Sequence, residues 1–228
     1  MIQLWELRGQ NDRRYSVFSW RSRMALMHKG LAFNEQPVLQ TDKALIAFSG
    51  GKTVPILRDG DTVVRDSWQI AEYLERTYPQ KPSLFDGATG QALCHFVNVW
   101  VDRAIVPLAF KALACDAILI QDPADHAHFR ETVERFTGQS PEGLKAAQDK
   151  AFERLSGALD PARATLKRQA FLGGAEPRYA DYALFSVFQW ARIVSPVRAL
   201  PEGDPLLRWI DSLLDLHQGY ARQAVAFY

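Results

Sequence analysis

The sequence predicts an α/β unit joined to an all-helical one. Three observations carry that prediction. Residues 1–78 read as short strands and helices in the order β-α-β-loop-β-β-α, a mixed sheet with helices on its faces. Residues 79–89 (PQKPSLFDGAT) hold two prolines and a glycine and read as the linker between units. Residues 90–228 show only helical periodicity.

Residues 2–7 (IQLWEL) alternate apolar and polar, as a half-buried strand does. A polar loop fills residues 8–15. Trp20, Met24, Met27 and Leu31 then recur at helical spacing, with Arg21, Arg23 and Lys29 outside and Gly30 as the stop. Ser19, directly before Trp20, is the expected N-cap of that helix. Residues 32–39 read as a second strand. Residues 54–57 and 63–65 flank Asp59-Gly60, a two-residue hairpin signal. Trp68, Ala71, Tyr73 and Leu74 form a short amphipathic helix stopped at Tyr78-Pro79.

Beyond the linker, residues 91–115 read as one long helix, kinked by Val106-Pro107. Residues 122–140 are polar with a weak helical pattern, and residues 144–166 read as a mostly solvated helix. Residues 181–194 (DYALFSVFQWARIV) are apolar nearly all round, which predicts a central buried helix. Asp204-Pro205 is a capped start. Leu206, Trp209, Ile210, Leu213 and Leu214 follow as an apolar stripe.

Composition excludes several classes of function. The net charge is +1 and no basic block interleaves with aromatics, so a nucleic-acid partner is not expected. Apolar stretches are broken by charge before the roughly 20 residues that a membrane span needs. Residues 1–7 carry no secretory n-region. Cys94 and Cys115 form neither CxxC nor zinc spacing, and His126 and His128 do not share a helical face. No metal is expected, and a cytoplasmic protein with two reduced core thiols is.

The most informative pair of motifs is Val54-Pro55 and, eleven residues on, Asp66-Ser67. A proline opening an apolar β-branched run marks a strand entry. Its peptide bond is predicted to be cis, with the Val54 backbone free to pair with an extended peptide. An acid and a hydroxyl before a helical run supply a cap and acceptors at one helix N-terminus. Together they describe a site for a short peptide with a charged amino end.

This arrangement resembles a cytosolic glutathione S-transferase over the whole chain. The stretch Ser16-Val17-Phe18-Ser19-Trp20-Arg21, with Ala25-Leu26 and His28-Lys29-Gly30, is similar to the bacterial β-etherase branch and its fungal relatives. So is Asp66-Ser67-Trp68 with Ile70-Ala71-Glu72-Tyr73-Leu74. The resemblance implies a thioredoxin-like glutathione-binding domain (1–78), a linker (79–89) and an all-helical domain (90–228). Two departures stand out. Ser16 is followed by Val17 where that branch has proline. Arg178 stands where a Ser or Thr usually opens the capping box with Asp181, which costs about 1 kcal/mol.

The resemblance also implies roles. Glutathione is the co-substrate, and Ser16 stabilises its thiolate, a plain N-cap serine being the alternative. Tyr15 is a competing hydroxyl. Lys52, Val54, Pro55, Asp66 and Ser67 hold the peptide. Asn11, Tyr15, Trp100 and Arg103 are the candidates to line the place of a hydrophobic electrophile, with Phe96 and Phe110 on the same broad helical face; for each aromatic, core packing is the alternative. No cysteine lies in residues 8–20, so the glutathione sulfur, not the protein, is the nucleophile. The expected reaction is glutathione transfer, with β-aryl ether cleavage as its refinement and a homodimer as its assembly. The rivals are a non-catalytic ligand-binding protein and a glutathione-dependent isomerase or peroxidase.

Overall fold

The computed structural model describes all 228 residues. Four strands form one mixed sheet: β1 (Ile2–Leu7), β2 (Phe33–Val38), β3 (Ile56–Asp59) and β4 (Thr62–Arg65), in the order β2-β1-β3-β4. β1 pairs parallel with β2 and antiparallel with β3, and β4 closes a hairpin with β3. The parallel pair requires a crossover, supplied by α1 (Val17–His28). α2 (Ser67–Thr77) follows the hairpin. This is the predicted thioredoxin-like arrangement with a helical remainder.

β1 buries Ile2, Leu4 and Glu6 on one side. A fully buried carboxylate needs partners, and Glu6 has them. Arg23 of α1 reaches both its oxygens at 2.8 Å, and Arg14 reaches one at 2.8 Å. Glu35 of β2 joins both arginines. The cluster therefore ties two strands and α1 to residues 8–15, the loop before Ser16. Removing Glu6 would leave two arginines sharing the partly exposed Glu35 carboxylate, and breaking a buried ion pair at one partner costs up to about 3–5 kcal/mol.

The helical unit comprises α3 (Gly87–Trp100), α4 (Val106–Ala117), α5 (His126–Thr137), α6 (Pro141–Ala146), α7 (Gln148–Ala158), α8 (Asp160–Leu166), α9 (Tyr179–Val194) and α10 (Leu206–Gly219). Between α3 and α4 the chain stays helical through a π turn, Val101–Ile105. Pro107 has no N–H to give, and the wider turn absorbs that defect. The single helix expected over 144–166 is instead three short ones, interrupted at Ala147 and Leu159.

Every residue of α9 is buried, and its rings and branched chains lie in the main apolar core. Asp181 accepts from the N–H groups of Arg178, Leu172 and Gly173 and from Trp209 Nε1, all within 3.0 Å. Only the Asp181 half of a capping box is chemically available, because arginine carries no acceptor. A smaller cluster, Val38, Ile46 and Ile56, packs with Trp5, Leu7 and Val54.

Candidate active site

A cleft of about 1030 Å³ runs between the sheet unit and the helical unit. One wall holds Tyr15, Ser16, Gln40, Lys43, Lys52, Thr53, Val54, Pro55, Arg65, Asp66 and Gln69, with Leu7, Val17, Phe18, Val38, Leu39, Ile46 and Gly51 among them. The other holds Val106, Phe110, His128, Phe129, Thr132, Arg135, Phe136 and Trp190.

Ser16 is the N-cap of α1. Its Oγ accepts the Ser19 N–H at 3.2 Å, and its backbone is extended. This corrects the expectation that Ser19 caps the helix. Ser19 is the third helical residue, and its buried hydroxyl has no partner. Capping uses an acceptor lone pair of Ser16 and leaves the O–H proton free to donate. The positive end of the α1 dipole lies at the same atom. Capping and anion stabilisation are therefore compatible in one hydroxyl.

Tyr15 sits in the opposite situation. It is 4% exposed. Its hydroxyl donates to Gln121 Oε1 at 2.7 Å and accepts from Gln40 Nε2 at 2.8 Å. Burial, with Asp125 nearby, pushes its pKa well up. The phenol is engaged on both sides and acts as a brace.

That brace is part of a hub which the sequence did not reveal. Asp125 is fully buried and accepts the N–H groups of Gln40 and Thr41 at 2.7 and 2.9 Å, and the Thr41 hydroxyl at 2.7 Å. Gln10 donates to the Gln121 carbonyl at 2.7 Å. A Cβ on Gly9 would stand 2.2 Å from the Ile120 carbonyl, so only glycine lets the loop approach this closely. Residues 118–125 thus hold the loops before Ser16 and after β2 together. Asp122-Pro123 marks the turn in sequence. Its partners lie about 80 residues or more away, so no local signal announces them.

The Val54-Pro55 bond is cis, as predicted. Val54 stands two residues before β3, and its N–H and C=O enter none of the backbone hydrogen bonds of the fold. Asp66 adopts φ 70° and caps α2, its Oδ1 accepting from Trp68 N–H at 2.9 Å and Gln69 N–H at 3.1 Å. It stays exposed in the cleft wall, so the cap leaves Oδ2 open to a cation. Lys43, Lys52 and Arg65 are exposed cations along the same wall; Lys43 also donates to the Lys52 carbonyl at 3.1 Å.

Four expected site residues do not reach the cleft. Ser67 is 2% exposed and is absent from the wall, where Asp66 and Gln69 stand instead. As the first residue of α2, its side chain turns into the fold. Asn11 is exposed at φ 53° in a short 3-10 turn away from the wall. Trp100 and Arg103 also lie off it. The π turn explains these two: one extra residue per turn rotates the face before Val106 relative to the face after it. Phe110 lines the cleft, while Phe96 is 72% exposed elsewhere. The sequence reading also missed Phe129, Phe136 and Trp190. Phe110 stacks on Trp190 at 6.2 Å and meets Phe129 and Phe136 edge-on.

His28 lies outside the cleft, at the seam between units. Its Nε2–H donates to the Ser83 carbonyl at 2.9 Å and its Nδ1 accepts from the Tyr182 hydroxyl at 2.6 Å. Burial lowers its pKa to about 4, so the ring is neutral.

Comparison with known proteins agrees with this architecture. Residues 15–77 match the family described as glutathione S-transferase, N-terminal domain, and residues 92–204 match glutathione S-transferase, C-terminal domain. Glutathione S-transferase U2 of Arabidopsis thaliana is 31% identical over 101 residues, 43% of this chain and 45% of its own length. The chain thus matches less than half the length of that relative. A glutathione S-transferase of Ceriporiopsis subvermispora, CsGST63524, solved in complex with glutathione, superposes with a TM-score of 0.79 at 22% identity. It covers 97% of this chain and 94% of its own. The β-etherase LigF of Sphingobium sp. strain SYK-6 superposes with a TM-score of 0.70 at 19% identity, covering 96% and 97%. At these identities the superpositions bear on fold alone, whereas the two domain matches together take in most of the chain: it belongs to the glutathione S-transferase family.

Proposed function

We propose that the protein is a serine-type glutathione transferase. It activates the glutathione thiol for attack on a hydrophobic aromatic electrophile. The observation that carries this reading is the Ser16 hydroxyl. Its oxygen caps α1 while its proton stays free, in a cleft wall that also holds Val54. A free thiol near pKa ~8.5 is only a few per cent ionised at neutral pH. A hydroxyl donor and a helix N-terminus both favour the anion.

Residues 1–78 form the peptide-binding domain in this reading. The Val54 backbone pairs with the cysteinyl residue, Lys52 faces a carboxylate, and Asp66 receives the ammonium. Ser67 contributes its helix-end N–H rather than an exposed hydroxyl. The electrophile lies against Phe110, Phe129 and Trp190. The sulfur forms its bond to carbon as the leaving group departs with its electron pair, and positioning supplies much of the acceleration.

The finer proposal is that the electrophile is a β-aryl ether and the leaving group a phenolate. It is supported by the motifs around Ser16 and Trp68, the aromatic wall and the fold shared with LigF. The assembly is a homodimer. The setting is a reducing cytoplasm, in keeping with free, buried Cys94 and Cys115.

A chromogenic aryl halide, assayed with and without glutathione, tests the transferase reading; no conjugation despite measurable glutathione binding would make this a binding protein. A model β-aryl ether carrying a fluorescent phenol tests the refinement. Release of phenol only with glutathione supports it, while brisk aryl-halide conjugation without phenol release removes it. Sedimentation at a concentration-independent mass near 25.8 kDa would exclude the dimer.

A further inference from the structure

Of the five histidines, only His128 lines the cleft. It sits half-buried on α5, and Thr132 and Arg135 follow it at i+4 and i+7 on the same helical face. Next in sequence, Phe129 is buried and meets Phe110 edge-on. Hydrogen bonds hold His28 through both ring nitrogens and His126 through Nε2, whereas no group of the protein engages His128. An imidazole with both nitrogens free at the wall of a reaction cleft is available to a ligand.

The other titratable groups of the lining do not suit proton transfer at neutral pH. Lysine and arginine hold their protons far above neutrality, and carboxylates lose theirs far below it. That sets aside Lys43, Lys52, Arg65, Arg135 and Asp66. The Tyr15 phenol is engaged on both sides, and burial pushes its pKa up. Histidine is the side chain whose ordinary charge change falls between about pH 5 and 8. Its place in the cleft matters as well. Ser16 stands on the sheet-side wall and His128 on the facing helical wall. Displacement at carbon needs the entering and departing atoms in line, so a sulfur held at Ser16 sends the leaving group toward the helical wall.

We propose that His128 is the general acid for aryl ether substrates, giving a proton to the oxygen that departs. This rests on the transferase reading above and assigns a second catalytic residue to the same cleft. The glutathione thiol gives up its proton on activation. The sulfur electron pair forms the C–S bond, the C–O pair passes to oxygen, and the His128 ring protonates that oxygen to the phenol. Solvent then reprotonates the ring, so one proton leaves the thiol and one arrives on the product. The need is real for an ordinary phenol, which ionises near ~10 as tyrosine does and leaves slowly as the bare anion. A halide needs no proton.

The test uses three electrophiles with one reacting carbon: phenacyl chloride, 4-nitrophenyl phenacyl ether and phenyl phenacyl ether. Each is assayed at saturating glutathione with the uncatalysed rate subtracted. The wild type should turn over the two ethers within about tenfold of one another, because an acid flattens the dependence on leaving-group basicity. His128→Gln keeps a hydrogen-bond donor but has no proton to transfer. It should lower the phenyl ether rate, relative to the chloride, about 100-fold, and the nitrophenyl ether rate less than about fivefold. His128→Phe should behave the same way, with circular dichroism checking both folds. Equal losses on all three electrophiles would make His128 a packing residue and overturn the proposal. So would an undiminished phenyl ether rate in His128→Gln. A wild type active on the chloride and nitrophenyl ether but not on the phenyl ether would also overturn it, leaving the transferase reading intact. No conjugation of any of the three would instead sink that reading, and the acid with it.

Discussion

The two walls of the cleft are built from different materials. The sheet-side wall mixes polar groups with apolar ones such as Leu7, Val38 and Ile46, and its chemistry comes from places where regular structure begins. Ser16 caps α1, Val54 precedes β3, and Asp66 caps α2. The helical wall presents the faces of α4, α5 and α9, where Phe110, Phe129 and Trp190 stack and meet edge-on. Backbone groups and caps recognise one peptide in one orientation. Aromatic faces accept many flat molecules, because stacking is tolerant of substituents. Under the proposed function, the difference teaches that specificity for the thiol and tolerance for its target are open to separate adjustment.

Changes to the two walls should therefore separate in their effects. The largest is Ser16→Ala, expected to cut turnover about 100-fold, the scale of losing one anion-stabilising donor, with little change in glutathione affinity. Tyr15→Phe, one residue away, should keep turnover within about threefold while lowering stability by about 1–3 kcal/mol. Stopped kinetics beside thermal melts would compare them. Full activity in Ser16→Ala with inactivity in Tyr15→Phe would reverse the assignment.

The seam joining the walls gives the next effect. An unfolded chain binds a proton at His28 near its ordinary pKa of 6.5, whereas the folded protein resists until about 4. Stability from this group is complete above 6.5, falls with pH across that window and is gone below about 4. The loss between pH 7 and 5 should be about 2 kcal/mol. Denaturation at several pH values would show it, and His28→Gln should flatten the slope.

On the helical wall, Phe110→Ala should raise KM for aromatic electrophiles about tenfold and leave glutathione binding alone, as loss of one ring contact predicts. An equal loss for glutathione would mean that the walls are not separable. The smallest effect is Lys52→Ala. An exposed cation should contribute about threefold to glutathione affinity, and that contribution should fade at high salt. Calorimetry at two ionic strengths measures it.

What was legible in the sequence follows the same division. The order of strands and helices along residues 1–78 and the buried α9 rest on local patterns, and the cis Val54-Pro55 bond on the proline together with the fold it implied; the structure contains all three. Asp66 was legible because caps are local, whereas the cap of α1 was placed at Ser19, three residues past its true position at Ser16. Ser67 was overread, since a hydroxyl beside a cap need not face outward. The helical wall was poorly legible. A face drawn with an unbroken period through Pro107 carried Trp100 and Arg103 into the site, and the π turn carries them out. Phe129 and Trp190 belong to separate helices, so no single stretch of sequence groups them with Phe110. Gln121 and Asp125 were invisible for the same reason, their partners being remote in sequence.

That last pair bears on modularity. The sheet unit looks like a portable part, yet the segment that carries Ser16 is braced by Gln121, and the loop after β2 hangs from Asp125. Grafting the helical half of a relative onto residues 1–78 would transplant a new aromatic wall. It would also remove the scaffolding that aims the serine, unless a glutamine and an aspartate travelled with it. Exchange of halves during descent is thus constrained at two positions that touch neither reactant.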